Sequence, residues 1–144
     1  MYSAYFFIFS IFMSFSWGFK DCGSKHGSVL SVSVSNCEED QKCVLKKKTN
    51  VTIEIVFTNV DSKTVTPEIH GIIGAASIPF PVPNPDGCKD SGITCPVSAD
   101  QINKYTASFY VEPSYPNIAA TVKLELKDDS GKDFFCKLIR GKIK

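Results

Sequence analysis

Six cysteines, Cys22, Cys37, Cys43, Cys88, Cys95 and Cys136, are the side chains here with the widest choice of chemistry. As thiolates they would be nucleophiles or zinc ligands; oxidised in pairs they would be staples. The gaps Cys37-x5-Cys43 and Cys88-x6-Cys95 miss the usual two-to-four-residue spacing of zinc ligands, and only His26 and His70 are at hand to complete a site. No Gly-x-Ser-x-Gly elbow, His-Glu-x-x-His pair or phosphate-cradling glycine loop is present. The two histidines have no acid partner that the sequence identifies, and each reads as structural or solvated. The expectation is a non-enzyme without metal or cofactor, whose cysteines form three disulfides.

Six cysteines allow fifteen pairings. Loop geometry favours two short bridges, Cys37 with Cys43 and Cys88 with Cys95, leaving Cys22 and Cys136 to join the ends. A closed loop of about 100 residues is worth up to ~4.7 kcal/mol on a chain-entropy estimate, so the terminal bridge matters most.

Bridges of this kind need an oxidising compartment. Met1 to Gly18 carries no charged side chain and runs through Phe6, Phe7, Ile8, Phe9, Ile11 and Phe12. It is shorter than the roughly 20 apolar residues of a spanning helix and stops at Phe19-Lys20-Asp21. A cleaved signal peptide over 1–18 is expected, with small Ser16 and Gly18 before the cut. One domain over 19–144 remains, secreted. Its 16 basic and 15 acidic residues give no bulk case for nucleic acid. Glu38-Glu39-Asp40 reads as a solvated loop, and Lys46-Lys47-Lys48 as a charged edge that discourages aggregation. Asn50-Val51-Thr52 is a glycosylation acceptor, predicting a glycan on Asn50.

Period two dominates the elements that must position these groups. Leu30, Val32 and Val34 alternate with Ser31, Ser33 and Ser35; Val51, Ile53, Ile55 and Phe57 share one parity. Ala107, Phe109 and Val111 repeat the pattern, as do Val122, Leu124 and Leu126. Turns at Asn59-Val60-Asp61-Ser62, Asn84-Pro85-Asp86-Gly87 and Asp128-Asp129-Ser130-Gly131 separate these runs. A final strand runs from about Asp133 to Ile143. About seven or eight strands, each with one apolar face, are expected to pack as a β-sandwich of two antiparallel sheets. The only tryptophan, Trp17, lies in the leader, so the buried tryptophan of true immunoglobulin domains is missing.

Ser77-Ile78-Pro79-Phe80-Pro81-Val82-Pro83-Asn84-Pro85 excludes a central strand, because each proline lacks a backbone donor and fixes φ. It predicts a stiff edge that aims Phe80 as either core plug or pocket wall. Tyr115-Pro116 predicts a second rigid turn, with a side chain apolar in body and polar at its tip.

These residues resemble the ML lipid-recognition family, and within it the Niemann-Pick type C-two sterol carriers. The likeness rests on Asp21-Cys22-Gly23, on Val34 before Cys37, on the block from Ile78 to Cys95, on Val111-x-x-x-Tyr115-Pro116 and on Phe135-Cys136. Mite group two allergens and arthropod carriers are similar in the same way. The resemblance implies an immunoglobulin-like sandwich with the three disulfides favoured above. It also implies an apolar tunnel lined by Val34, Phe80, Val111, Tyr115 and Pro116, which makes Phe80 and Tyr115-Pro116 wall and gate. The ligand it implies is a sterol, a fatty acid or a long-chain alcohol. The setting would be extracellular fluid or the lysosomal lumen, and the carrier a monomer with transient membrane or receptor docking. A chemosensory carrier of hydrophobic semiochemicals and an innate-immune lipid-recognition module are the alternative roles. The strand Ala120 to Lys127 lacks the tryptophan that vertebrate members carry there, which bears on sterol preference. A charged replacement at Phe80 or Val111 is expected to abolish lipid binding and leave the fold intact.

Overall fold

The alternating runs become β-strands in the computed structural model, which describes residues 19–24, 27–37, 43–80, 82, 84–99 and 101–144. The expected leader, His26, the Glu38 to Asp40 run, Pro81 and Pro83 lie outside the described residues. Nine strands are present among those described: β1 (Phe19–Asp21), β2 (Gly27–Val34), β3 (Cys43–Leu45), β4 (Asn50–Asn59), β5 (Thr66–Ile73), β6 (Ala76–Phe80), β7 (Ile102–Tyr110), β8 (Ala119–Lys127) and β9 (Asp133–Ile143). They form two packed sheets, with no helix among the described residues, an immunoglobulin-like sandwich.

The larger sheet runs β1-β9-β8-β5-β6, and the smaller is β2-β4-β7. β1 and β3, three residues each, share one edge of β9: β1 pairs with Lys137 to Ile139, and β3 with Gly141 to Ile143. β3 runs parallel to β9 and is the exception in otherwise antiparallel pairing. Strands of three residues are too short to show a period, which is why the count exceeds seven or eight. Among the described residues β6 pairs only with β5, so Pro79 occupies a sheet edge as its missing donor requires.

The ladder slips twice: between β8 and β9, where Leu126 lies opposite Phe135 but Lys127 opposite Asp133, and within β2. Val29 lies opposite Phe57 while Ser31 lies opposite Val56, so Leu30 is an extra residue in the β2–β4 ladder. That bulge turns Leu30 outward, 55% exposed, and puts Val29 on the inner side with Val32 and Val34.

One half of the sandwich is solidly filled. The Phe57 ring sits 5.2 Å edge-on from Phe135 and 5.9 Å from Phe134, and Tyr105 and Leu126 are buried in the same core. Burial pushes the Tyr105 hydroxyl up to about 12. The β8–β9 turn sits where Asp128 to Gly131 predicts it: the backbone N–H groups of Ser130 and Lys132 donate to Asp128 Oδ1, and Gly131 takes φ +82°.

Cys22 bonds to Cys136, Cys37 to Cys43 and Cys88 to Cys95. The first bridge spans 114 residues and fastens the end of β1 to β9. The third closes a short loop within the long connection between β6 and β7. That connection is also held by the Gly87 N–H on the Val65 carbonyl, 2.8 Å, and the Thr106 N–H on the Ser91 carbonyl, 2.9 Å.

Candidate functional site

At the other end of the sandwich the inward side chains shrink. Along β8 the inner positions run Leu126, Leu124, Val122, Ala120, and β5 places Gly71 between Ile69 and Ile73. The two sheets cannot meet over such small groups, and a cavity of about 300 Å³ opens between them. Ile69, Gly71, Ile73, Ala120 and Val122 form one wall, and Leu45 and Ile143 close its margin. Phe109, Tyr110 and Val111 form the facing wall from the end of β7.

Phe80, Val82 and Tyr115 complete the lining from the two proline-bearing segments. The Phe80 and Tyr115 rings lie 6.0 Å apart, tilted by 37°, so the last residue of β6 touches the β7–β8 connection. Phe80 depends on its neighbour for space: a Cβ at Gly71 would come within 2.4 Å of Phe80 Cε2. Tyr115 is fixed by its own turn, its N–H donating to the Glu112 carbonyl at 3.1 Å. Among the described residues, only Tyr110, Glu112 and Tyr115 bring polar side chains to the lining. A dry enclosure of this composition gains affinity through buried apolar area, about 0.8 kcal/mol per methylene, with few groups to fix orientation.

Phe80, Val111 and Tyr115 thus come together around one space. Val34 and Pro116 are not among its lining residues. Val34 is buried in the core on β2, and Pro116 is exposed on the outer side of its turn. Asn50 is exposed at the start of β4, and the hydroxyl of Thr52 reaches Ser108 Oγ at 2.9 Å.

The family profile described as the ML domain matches residues 16–143. The chain belongs to the ML-domain family. Among ML-domain relatives, the ecdysteroid-regulated 16 kDa protein of Manduca sexta is 44% identical over 127 residues, covering 87% of each chain. The mouse NPC intracellular cholesterol transporter 2 is 42% identical over 119 residues, covering 82% of this chain and 78% of its own. A solved Niemann-Pick type C2 protein from the Japanese carpenter ant superposes with TM-score 0.83 at 30% identity, over 88% of this chain and 98% of that one.

Most of the wall of this ML-domain cavity went unnoticed in the sequence. The stretch from Val65 to Ile73 reads only as strand-like material, and nothing local says which parity faces inward. The signal lies in β8, where one apolar parity tapers from leucine to alanine toward the end occupied by Tyr115. Leu45 and Ile143 reach the space through the short parallel β3–β9 pairing.

Proposed function

We propose that this chain is a secreted lipid carrier that holds one apolar ligand between its sheets, with Phe80, Val111 and Tyr115 in contact with it. The observation that carries the reading is the cavity itself, about 300 Å³, walled almost entirely by apolar side chains. That volume is at the lower end of the roughly 300–1,000 Å³ range of ligand sites, which suits a single slender molecule. The relatives named for cholesterol transport support a sterol as one candidate cargo, with fatty acids and long-chain alcohols as the others. A hydroxyl end left beside Glu112 and the Tyr115 hydroxyl, or a carboxylate left hydrated at the mouth, would avoid the cost of burial without a partner. The lining offers no nucleophile with an adjacent base, so the chemistry available is binding and release, not turnover. Secretion rests on the uncharged apolar leader and the three disulfides. In that compartment Asn50, exposed and followed by Val51 and Thr52, would carry a glycan.

Competition binding on delipidated protein tests the reading, with a fluorescent sterol and a fluorescent fatty acid run side by side against unlabelled ligands. Saturable binding of either probe, lost in Phe80→Asp, supports the carrier and names the cargo class. Absence of saturable binding of both would sink it.

A further inference from the structure

The outer face of the larger sheet holds a second cluster, remote from the cavity's chemistry. Glu68 and His70 point outward from β5, and Glu125 stands directly opposite Glu68 on β8. One donor atom from each of the three lies within 4.8 Å of the others. Two carboxylates placed directly across a ladder repel each other, and a sheet gains nothing from the pairing unless a cation separates them. Glu125 is 7% exposed, unusual for a charged group on an outer face.

Lysines answer part of that charge. Lys127 Nζ lies 3.3 Å from Glu125 Oε2 and 3.1 Å from Asp133 Oδ1, and Lys123 Nζ lies 3.8 Å from Glu125 Oε1. Burial alone would raise Glu125, but hydrogen bonds with Asp133 and Lys127 and the charges of Lys127 and Lys123 hold it below the usual carboxylate value. Glu68 and Glu125 thus stand against the Lys123 and Lys127 ammonium groups, with Asp133, its carboxyl raised by burial and by its hydrogen bond with Glu125, beside them. His70 is the unexplained member. Its Nδ1 is sealed from solvent, has no hydrogen-bond partner among the described residues, and faces Glu125 Oε1 at 4.0 Å. A buried ring nitrogen aimed at a carboxylate, too far for a hydrogen bond, needs a reason.

We infer that Glu68, His70 and Glu125 form a divalent-cation site of the zinc class, with His70 Nδ1 and one oxygen from each glutamate as ligands. Imidazole with carboxylates suits zinc, and three protein ligands leave one position of a tetrahedral site for water. Bonds of about 2.0–2.2 Å require the Nδ1 and Oε1 atoms to draw slightly closer than they now stand. Lys123, on a flexible stem, swings away as the ion takes over its partner. The ion would clamp β5 to β8, the two strands that carry most of one cavity wall. This assignment does not depend on the lipid reading.

Zinc ion alone, titrated calorimetrically into the full mature chain, tests the site, with the His70 ring followed by nitrogen NMR. The expected result is one zinc per chain, a large shift at His70 Nδ1, and a higher melting temperature. His70→Gln and Glu68→Gln should each weaken binding at least about tenfold, since even an outer-shell partner is worth 10- to 100-fold. His26→Gln should leave it unchanged. Both glutamine variants keep polar surface groups, and their unaltered circular dichroism and melting without zinc would show that the fold is intact. Zinc binding only at millimolar concentration, or binding that survives His70→Gln, overturns the proposal.

Discussion

A methyl group at Gly71 would meet the Phe80 ring at 2.4 Å, so the smallest substitution in the cavity wall has one of the largest geometric effects. Gly71→Ala must move Phe80 away from β5, and the ring can go only toward Tyr115 or out of the wall. We expect Gly71→Ala to change ligand preference and to lower affinity for the natural cargo by about tenfold, the loss of one or two buried methylenes' worth of contact. Binding curves for a ligand series of increasing chain length check this; an unchanged series would mean that Phe80 does not bound the ligand. A carboxylate at Phe80 and one at Val111 should behave differently. Phe80 is half-buried at a rim, so Phe80→Asp should remove binding with the fold retained. Val111 is 1% exposed, its N–H on the Thr49 carbonyl and its carbonyl taking the Lys48 N–H. Val111→Asp should therefore destabilise the chain by several kcal/mol, because the charge cannot reach water; chemical denaturation separates the two variants. The sequence singles out Phe80 and Tyr115 because proline restricts their backbone. It cannot separate rim from core at Val111, since parity reports which way a side chain points and not how deep it lies. Val34 and Pro116 show the same limit: parity turns the first inward and proline stiffens the second, but neither fact says whether the residue reaches the cavity lining.

At the scale of strands, β1 is the element most dependent on covalent and polar fastening. It has three residues, an edge position, and two local devices where it ends: the Cys22–Cys136 bridge and the Asp21 carboxylate, whose Oδ1 accepts the Gly23 and Ser24 N–H groups at 2.8 and 2.9 Å. Replacing Cys22 and Cys136 together by serine should cost up to ~4.7 kcal/mol of stability if chain entropy governs, measured by denaturant unfolding. Partial burial would raise the Asp21 carboxyl, but those two N–H groups, the Ser24 hydroxyl and Lys137 hold it below its ordinary value of 3.8. A depressed native pKa stabilises above the ordinary value, and the contribution disappears as pH falls through the lowered one. Melting temperature should thus fall more steeply below about pH 4 in the parent than in Asp21→Asn. Equal slopes would show that this carboxylate does not contribute. The long strands were legible because their alternation runs over eight or more residues, and the β6 edge because of Pro79 and the prolines that follow it in the sequence. β1 and β3 offer only three residues each, and the bulge at Leu30 is set by pairing with β4, which no local pattern in β2 announces.

The molecule as a whole is one sandwich with a filled half and a hollow half. Phe57, Phe134 and Phe135 interlock at one end, while Gly71 and Ala120 leave space at the other, so the fold's stability and its capacity for a ligand draw on different layers of the same two sheets. An apo chain with such a space forgoes the contacts that would fill it, and a ligand restores them. Saturation at about 100 times Kd should raise stability by ~2.7 kcal/mol, a rise in melting temperature of roughly 10 °C for a domain of this size. Filling the hollow from within should do the same without ligand. Ala120→Leu adds three carbon groups to a wall that faces the cavity, worth at most about 2.4 kcal/mol at ~0.8 kcal/mol each. We expect the variant to melt higher than the parent when both are delipidated, to bind lipid at least about tenfold more weakly, and to show little further rise on adding ligand. That combination ties the hollow to function, since a space kept at the expense of stability is retained for what enters it. If Ala120→Leu instead melts lower, the sheets already meet closely at this end in solution, and binding must begin with their separation.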